Sequence, residues 1–575
     1  MAGTTVDFHS VVSPDNMASE ICLRWTEWSS FRSKKIEEWK ELNKYLFATS
    51  TATTANAVLP WSNTTTTPKL TQIMDNLHAN YFATLFPQQK WMRWEGSDKT
   101  SNAKAKRKAI QAYLDNKISQ SNFVNTASEL LFDWIQYGNC FATVTWEDLK
   151  VVKENGEYTP IYTGPKLVRI SPFDIVFNPV SSEFAKSPKI IRSVMSLGEL
   201  AAMPEYKDIA AKMYSNREQI AGSGHVNFDK TEAFVADGFS DINHYYESGY
   251  CEILTFYGDY FNLETNTLQK NRVITVFDRA YIASNVEGES WFGVAPIFHS
   301  AWRTRPDNLY GMGPLDNLVG MQYRIDHLEN LKADVFDQIA YPVMKIRGEV
   351  EDFDFEPGAR IYIGEEGDVD YLHPDPMALQ ADMQIKILED KMEMMAGAPR
   401  EAMGIRSPGE KTAFEVQMLQ NSASRIFEHK AAHFERTFIE PILNAMLEVA
   451  RRKMDRVDIL RVLDDATNVA SFLEVKKDDI KANGKIVPIG ARHFAERARR
   501  VQNLQQLFAF KKDDPSIAPH LSGKKLAQLM AEELGEPDLF GENIAVIEQL
   551  ETQQVAQDAE AVNQDNLALS AEAGI

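Results

Sequence analysis

Apolar positions along this chain change period several times, and the most informative run of changes lies between Gly311 and Lys453. Leu318, Gln322, Ile325, Leu328, Leu331, Val335 and Ile339 recur at steps of three and four, the spacing of one helix face. Tyr341-Pro342 ends that helix, because a proline disfavours helical geometry in the residue before it. Over Gly348–Tyr371 the period becomes two, and the pairs Phe353/Phe355 and Ile361/Ile363 predict short strands either side of Pro357-Gly358. A second helical segment spans Met377–Ala396, and a glycine- and proline-rich loop, Gly397–Lys411, follows. Thr412 and Glu415 then fit a capping box. Behind them Phe427, Ala431, Phe434, Phe438, Ile442 and Met446 hold one stripe as far as Lys453. This predicts a helix of about 60 Å, kinked at Pro441.

Before this region, Asn16–Phe47 reads as one amphipathic helix carrying Ile21, Trp25, Trp28, Trp39, Leu42 and Leu46. Leu70, Ile73, Leu77, Tyr81 and Leu85 mark a second helix that stops at Pro87. Tryptophans at helical spacing read as core or subunit contact rather than as a stacking platform for a ligand. The next helix, reaching about Gln136, carries the basic run Lys104, Lys106, Arg107 and Lys108. No aromatic side chains interleave with it, so it reads as a solvated face rather than a nucleic-acid patch. From Gly138 the pattern is strand-like, with turn chemistry at Ser171-Pro-Phe-Asp174 and Asn178-Pro179. Ser196–Ala221 reads as helix and Gly222–Asp241 as loop, and Cys251–Phe256 and Arg272–Ala283 form a hairpin about Glu264–Asn271. Past Lys453, Asp455–Gly484 is a small mixed segment, and Phe494, Ala498, Val501, Leu504 and Phe508 give another helix. Beyond Leu550 the chain is polar, without Lys or Arg. The fold class is α+β, multidomain and mostly helical.

Length alone suggests three or four domains for the 575 residues. The 61 basic and 82 acidic residues give a net charge of −21, which argues against a protein that grips DNA phosphates along its whole length. Cys22, Cys140 and Cys251 lie far apart, with no disulfide framework and no zinc spacing. The start of the sequence lacks signal-peptide character, and no apolar run is long enough to span a membrane.

The chain carries little that resembles catalytic chemistry. His429 and His433 stand four apart on one helix face, but Lys430 replaces the glutamate of a metalloprotease motif and no third ligand is evident. A phosphate loop fails because Ala518 occupies the first glycine position before Gly523-Lys524-Lys525. Gly311-Met-Gly-Pro314 lacks a third glycine, and no G-x-S-x-G elbow exists. No catalytic residue, metal or cofactor is expected. The acidic insert does stand out. Glu349, Glu351, Asp352, Asp354, Glu356, Glu365, Glu366, Asp368 and Asp370 are opposed only by Arg360 there. They lack an EF-hand pattern and read as a solvated or lumen-facing surface. The loop after Ala396 is instead partly basic, through Arg400, Arg406 and Lys411.

The order of these pieces resembles the portal proteins, or head-to-tail connectors, of tailed bacteriophages, most of all those of short-tailed phages. The resemblance covers roughly residues 16–510. It rests on Ser171-Pro-Phe-Asp-Ile-Val-Phe-Asn-Pro179, on Tyr310-Gly-Met-Gly-Pro-Leu315 before a helix, and on Glu410-Lys-Thr-Ala-Phe-Glu-Val416 before the long one. It implies a non-enzymatic ring, a homo-oligomer of twelve subunits, around a double-stranded DNA channel at one capsid vertex of the virion, assembled in the host cytoplasm. The wing would be 1–313, the stem helices 314–341 and 377–396, and the clip 342–376. The tunnel loop would be 397–411, the long wing helix and the remainder of the wing 412–489, the crown 490–550, and the polar tail 551–575. Arg400, Arg406 and Lys411 would meet the DNA, and the insert's Glu349, Glu351, Asp352, Asp354, Glu356, Glu365 and Glu366 would form a docking surface. Partners implied are terminase, tail adaptors, and the major capsid and scaffolding proteins, with no membrane. Two other readings remain open: a capsid-associated metal-dependent hydrolase using His429 and His433, and a helical adaptor or scaffold.

Overall fold

Arg32 divides what the sequence presents as one helix. In the computed structural model Asn16–Phe47 forms α1 (Met17–Phe31) and α2 (Ser33–Leu46), with Arg32 between them at φ −102° and ψ 1°. Its buried guanidinium donates to the carbonyls of Pro172 (2.5 Å), Phe173 (2.6 Å) and Ile175 (2.7 Å). A tight turn leaves carbonyls without partners, and a planar fork of N–H donors suits several at once. The Ser171-Pro-Phe-Asp motif is therefore the receptor for Arg32, and the helix breaks to deliver that side chain.

The structure describes residues 10–12, 16–47, 63, 66–86, 91–96, 103–152, 158–181, 183–203, 206–220, 250–288, 294–348, 362, 364, 368–372, 380–397, 426–455, 457–463, 470–481, 483–488 and 504. They form a mixed α and β protein that divides into two compact units. The first comprises Met1–Phe86 and Leu114–Met454, the second Pro87–Tyr113 and Asp455–Ile575. The second unit thus takes in residues 87–113, which the expected boundaries assign to the wing.

In the first unit, β1 (Ser10–Val12) pairs parallel to a strand of a large antiparallel sheet. That sheet runs β5 (Ile175–Phe177), β6 (Lys189–Ser196), β7 (Tyr250–Asn262), β8 (Thr267–Phe277) and β9 (Tyr281–Glu287). The expected hairpin is thus longer than the sequence pattern suggests: its turn tightens to 263–266, and Ala283 belongs to the next strand. Side chains alternate between the faces of a strand. Val176, Ile190, Leu254, Phe256 and Ile274 accordingly meet Ile21, Trp25 and Trp28 of α1. Cys251, Ile253 and Phe277 meet α6 (Leu197–Ala202) and α7 (Lys207–Ile220), where a single helix was expected.

A smaller sheet orders as β10 (Ile297–Ala301), β3 (Asn139–Val152) and β4 (Tyr158–Ile170). Between the sheets, Ile36 and Trp39 of α2 pack with Tyr137, Phe141, Phe173, Phe177 and Tyr310. All three helix tryptophans belong to the core.

The Gly-Met-Gly stretch closes β12 (Asn308–Met312), which pairs with β11 (Arg303–Arg305). A Cβ on Gly311 would lie 2.5 Å from that of Ala301. Gly138, with φ +67°, lies so close that its own Cβ would fall 2.3 Å from Gly313 N. Asn139 completes the join, its Nδ2 donating to Gly311 O and its Oδ1 accepting from Gly311 N. These glycines serve backbone contact, not a ligand.

Two further helices, α3 (Lys69–Leu85) and α5 (Phe123–Gln136), fall between β1 and β3 along the chain. The predicted stem helices are α8 (Val319–Ala340), whose N-cap Leu318 is the first residue of the stripe although the resemblance begins this helix at 314, and α9 (Asp382–Ala396). Between them β13 (Val343–Arg347) pairs antiparallel with β14 (Asp368–Leu372). The strands expected around Phe353/Phe355 and Ile361/Ile363 lie outside the described residues.

Of the long helix, 426–453 is described. It is continuous, but a π turn at Glu435–Ile439 precedes α10 (Glu440–Lys453). Glu440 N donates to Glu435 O, one residue further back than in an α-helix. That wider turn sits where the Pro441 ring would otherwise press on the carbonyl of Thr437.

In the second unit β2 (Met92–Gly96) pairs with β17 (Gly484–Pro488), and β15 (Asp458–Leu463) pairs with β16 (Ala470–Val475). The first half of α4 (Ala103–Gln120) belongs here too. The crown and tail expected at 490–550 and 551–575 lie outside the described residues, apart from Leu504.

Candidate assembly interface

The apolar stripe of α8 has constant period but two environments. Leu318, Gln322, Ile325 and Leu328 are buried against the body of the first unit. Further along, Leu331 and Ile339 are 38% exposed with Val335 half-buried between them, Phe336 beside the stripe is 54% exposed, and every residue from Phe336 to Tyr341 is exposed. On α9 the two environments lie around the helix rather than along it: Ile385, Met392 and Ala396 are buried while Met383 (75%), Ile387 and Met394 are exposed. The β13–β14 hairpin continues the pattern with exposed Val343, Ile346 and Leu372. Exposed apolar side chains recurring on a helix pair and its hairpin make this region the candidate interaction surface.

Polar contacts hold the buried end. Lys69, at the start of α3, pairs with Glu393 of α9 at 2.7 Å, and both side chains are nearly removed from water. The chain before α3 runs along α8: Asp326 Oδ1 accepts from Thr67 N (2.9 Å) and Gln322 Nε2 (2.9 Å), while Gln322 Oε1 accepts from Leu70 N (3.1 Å). Asn63 N donates to Asp334 Oδ1 (2.6 Å), and its side-chain amide donates to Asp334 and Asp337. Burial pushes the Asp326 carboxyl up to about 6, against the two hydrogen bonds that favour its charged form. Across the bare end, Lys332 of α8 bridges Glu329 (3.0 Å) and Asp382 of α9 (2.6 Å).

The helix pair is acidic. On α8, Asp326, Glu329, Asp334 and Asp337 outnumber Arg324 and Lys332; on α9, Asp382, Glu389, Asp390 and Glu393 outnumber Lys386 and Lys391. In the hairpin, Lys345 stands opposite Asp370 and Arg347 opposite Asp368, the favourable cross-strand arrangement. Asp368 and Asp370 are exposed, as the sequence suggests for the acidic insert. Its other members, Glu349, Glu351, Asp352, Asp354, Glu356, Glu365 and Glu366, lie outside the described residues. So do Arg400, Arg406 and Lys411, whose loop follows directly on the left-handed cap at Gly397.

His429 and His433 sit among cations. Burial and the charges of Lys430 and Arg436 hold the His433 imidazole below its ordinary range. Lys430 donates to Trp302 O and lies 5.6 Å from that indole ring. A divalent ion would add to this positive field. Among the described residues no three His, Cys, Asp or Glu side chains converge as a metal site. No helix among them is long and apolar enough to cross a membrane.

Sequence reasoning missed Lys69, Glu393, Asn63 and Asp334, whose roles depend on partners hundreds of residues away. Asp326 had a local signal: it follows Ile325 on the buried side of the stripe, one turn from Gln322. No protein-family model matches the sequence, and no curated protein matches it.

Proposed function

We propose that this chain is the subunit of a ring-shaped phage portal, a conduit for double-stranded DNA during packaging and ejection. The observation that carries the reading is the α8 stripe, which serves as core for half its length and then continues, with its period unchanged, into solvent. A helix keeps such a stripe where something covers it. A neighbouring copy of the same helix pair covers it in every subunit if the contact is heterologous and the rotation closes.

Charge supports the same reading. Acid-rich paired helices around an axis give a wall that repels phosphate, so DNA slides without adhering. Arg400, Arg406 and Lys411 then supply transient, salt-labile contacts from the adjoining loop. The exposed hairpin and its acids serve as the docking rim for terminase and tail adaptors, with capsid and scaffolding proteins meeting the wing at the virion vertex.

Averaged electron micrographs of the purified chain test this directly. Closed rings of about twelve copies with an axial opening are expected. Monomers at micromolar concentration, or rings without an axial hole, reject the reading.

A further inference from the structure

The second unit as a whole is close to balance, with 21 basic against 23 acidic residues, but its described residues hold ten Lys or Arg against six Asp or Glu. Lys106 of α4 donates to Lys481 O at 3.5 Å, which brings this lysine of the basic run beside the turn between β16 and β17. Lys481 Nζ pairs with Asp478 at 3.0 Å. The hydrogen bond and charge of Lys481, followed by the charges of Lys106 and Lys477, hold the Asp478 carboxyl below its usual range. Three cations therefore surround one exposed carboxylate, and Arg107 is exposed next to Lys106.

The turn that presents them is fixed. Asp479 N donates to Lys476 O (3.0 Å) while its carboxylate accepts from Lys476 N (2.9 Å), and Val475, Ile480 and Ile486 are buried beneath. The exposed side chains of the turn and of the start of β17, Lys476, Asp478, Lys481, Asn483 and Lys485, are polar. A protein partner needs an apolar centre to its interface, whereas a phosphate backbone needs only positioned cations.

We propose that Lys106, Arg107, Lys477 and Lys481 form a sequence-independent contact for the backbone of double-stranded DNA. This contact is separate from the channel loop and does not depend on ring closure. It joins Lys477 and Lys481 to cations of the α4 basic run, which by its own sequence reads as a solvated face.

The test is fluorescence anisotropy of the full chain with a labelled duplex of about 30 base pairs, titrated at several salt concentrations between about 50 and 200 mM KCl. The combined variant Lys106→Glu, Lys477→Glu and Lys481→Glu is expected to bind at least about tenfold more weakly at low salt, with a salt slope shallower by about 2–3. The neutral set Lys106→Gln, Lys477→Gln and Lys481→Gln, which introduces no repulsion into the fold, should change affinity in the same direction by less. Lys34→Glu on α2 should leave binding unchanged. Unaltered affinity and slope in both triple variants overturn the proposal, as does an equal loss in Lys34→Glu. Tighter binding of a polyglutamate peptide than of the duplex would also overturn it, in favour of an acidic protein partner.

Discussion

Lys69 and Glu393, 324 positions apart, meet at 2.7 Å with both side chains almost fully buried. The pair fastens the start of α3 to the last turn of α9, just before the chain turns at Gly397. Removing one partner leaves a buried charge unopposed, which costs about 3–5 kcal/mol, whereas replacing both by apolar groups of similar size is close to neutral. Lys69→Met and Glu393→Leu should therefore each lower the melting temperature markedly. The double variant should lose much less than the sum. Additive losses in thermal melts would show that the two charges act separately.

Arg32 is the second fixed point. Its guanidinium serves three carbonyls of the Pro172–Ile175 turn, and Arg192 N donates to Asp174 O from the neighbouring strand at 2.7 Å. Arg32→Leu keeps the bulk of the side chain but strands those acceptors in the interior. At about 1–3 kcal/mol for a buried group left unpaired, a loss of roughly 3 kcal/mol or more is expected. Arg32→Lys retains the charge without the fork and should recover only part of that. Denaturant unfolding monitored by the fluorescence of the α1 and α2 tryptophans reads both.

What the sequence discloses depends on distance along the chain. The period of α8, the turn at Ser171-Pro-Phe-Asp174 and the change of period after Pro342 are local and can be read directly. The break at Arg32 could not be read, since its cause lies 140 residues away in the turn it serves. The missing third glycine excludes Gly311 and Gly313 from a dinucleotide loop, but their role could not be read, because close approach to Gly138 and Ala301 is visible only after folding. The candidate interface was half legible. The stripe was plain, but its division into a buried and a bare half belongs to tertiary structure.

Asp326 should make stability depend on pH in the unusual direction. Its folded-state value, about 6, lies above the ordinary 3.8, so the folded protein binds the proton more tightly than the unfolded chain does. This group therefore favours folding increasingly as pH falls from about 6 towards 4, and disfavours it above 6. Asp326→Asn keeps an oxygen for Thr67 N and Gln322 Nε2 while removing the buried charge. At pH 7.5 it should stabilise by about 1–2 kcal/mol, and the advantage should shrink at pH 5. An advantage equal at both pH values, measured by urea unfolding, would point to packing instead.

Arg400 and Arg406 fall in the segment after α9 that its glycines and prolines predict to be a loop. If they touch DNA only in passing, Arg400→Ala and Arg406→Ala should leave ring assembly intact while lowering the amount of DNA packaged or retained. Equal packaging by variant and parent would remove both residues from the channel.

The bare side chains of the helix pair offer the sharpest separation of fold from assembly. Phe336 and Met383 are 54% and 75% exposed, so the isolated chain loses little when either becomes polar; surface substitutions usually change stability by less than about 0.5 kcal/mol. Covered by a neighbouring copy, each would contribute about 1.5–3 kcal/mol, and a carboxylate in its place would also have to be desolvated. Phe336→Asp with Met383→Asp should thus weaken each subunit contact at least about a hundredfold while leaving the melting temperature of the monomer unchanged. Sedimentation velocity distinguishes the outcomes. Monomers with parental thermal stability support the assignment of α8 and α9 to the ring contact. Rings that persist in the double variant move the contact elsewhere, and the bare stripe would then need a different occupant.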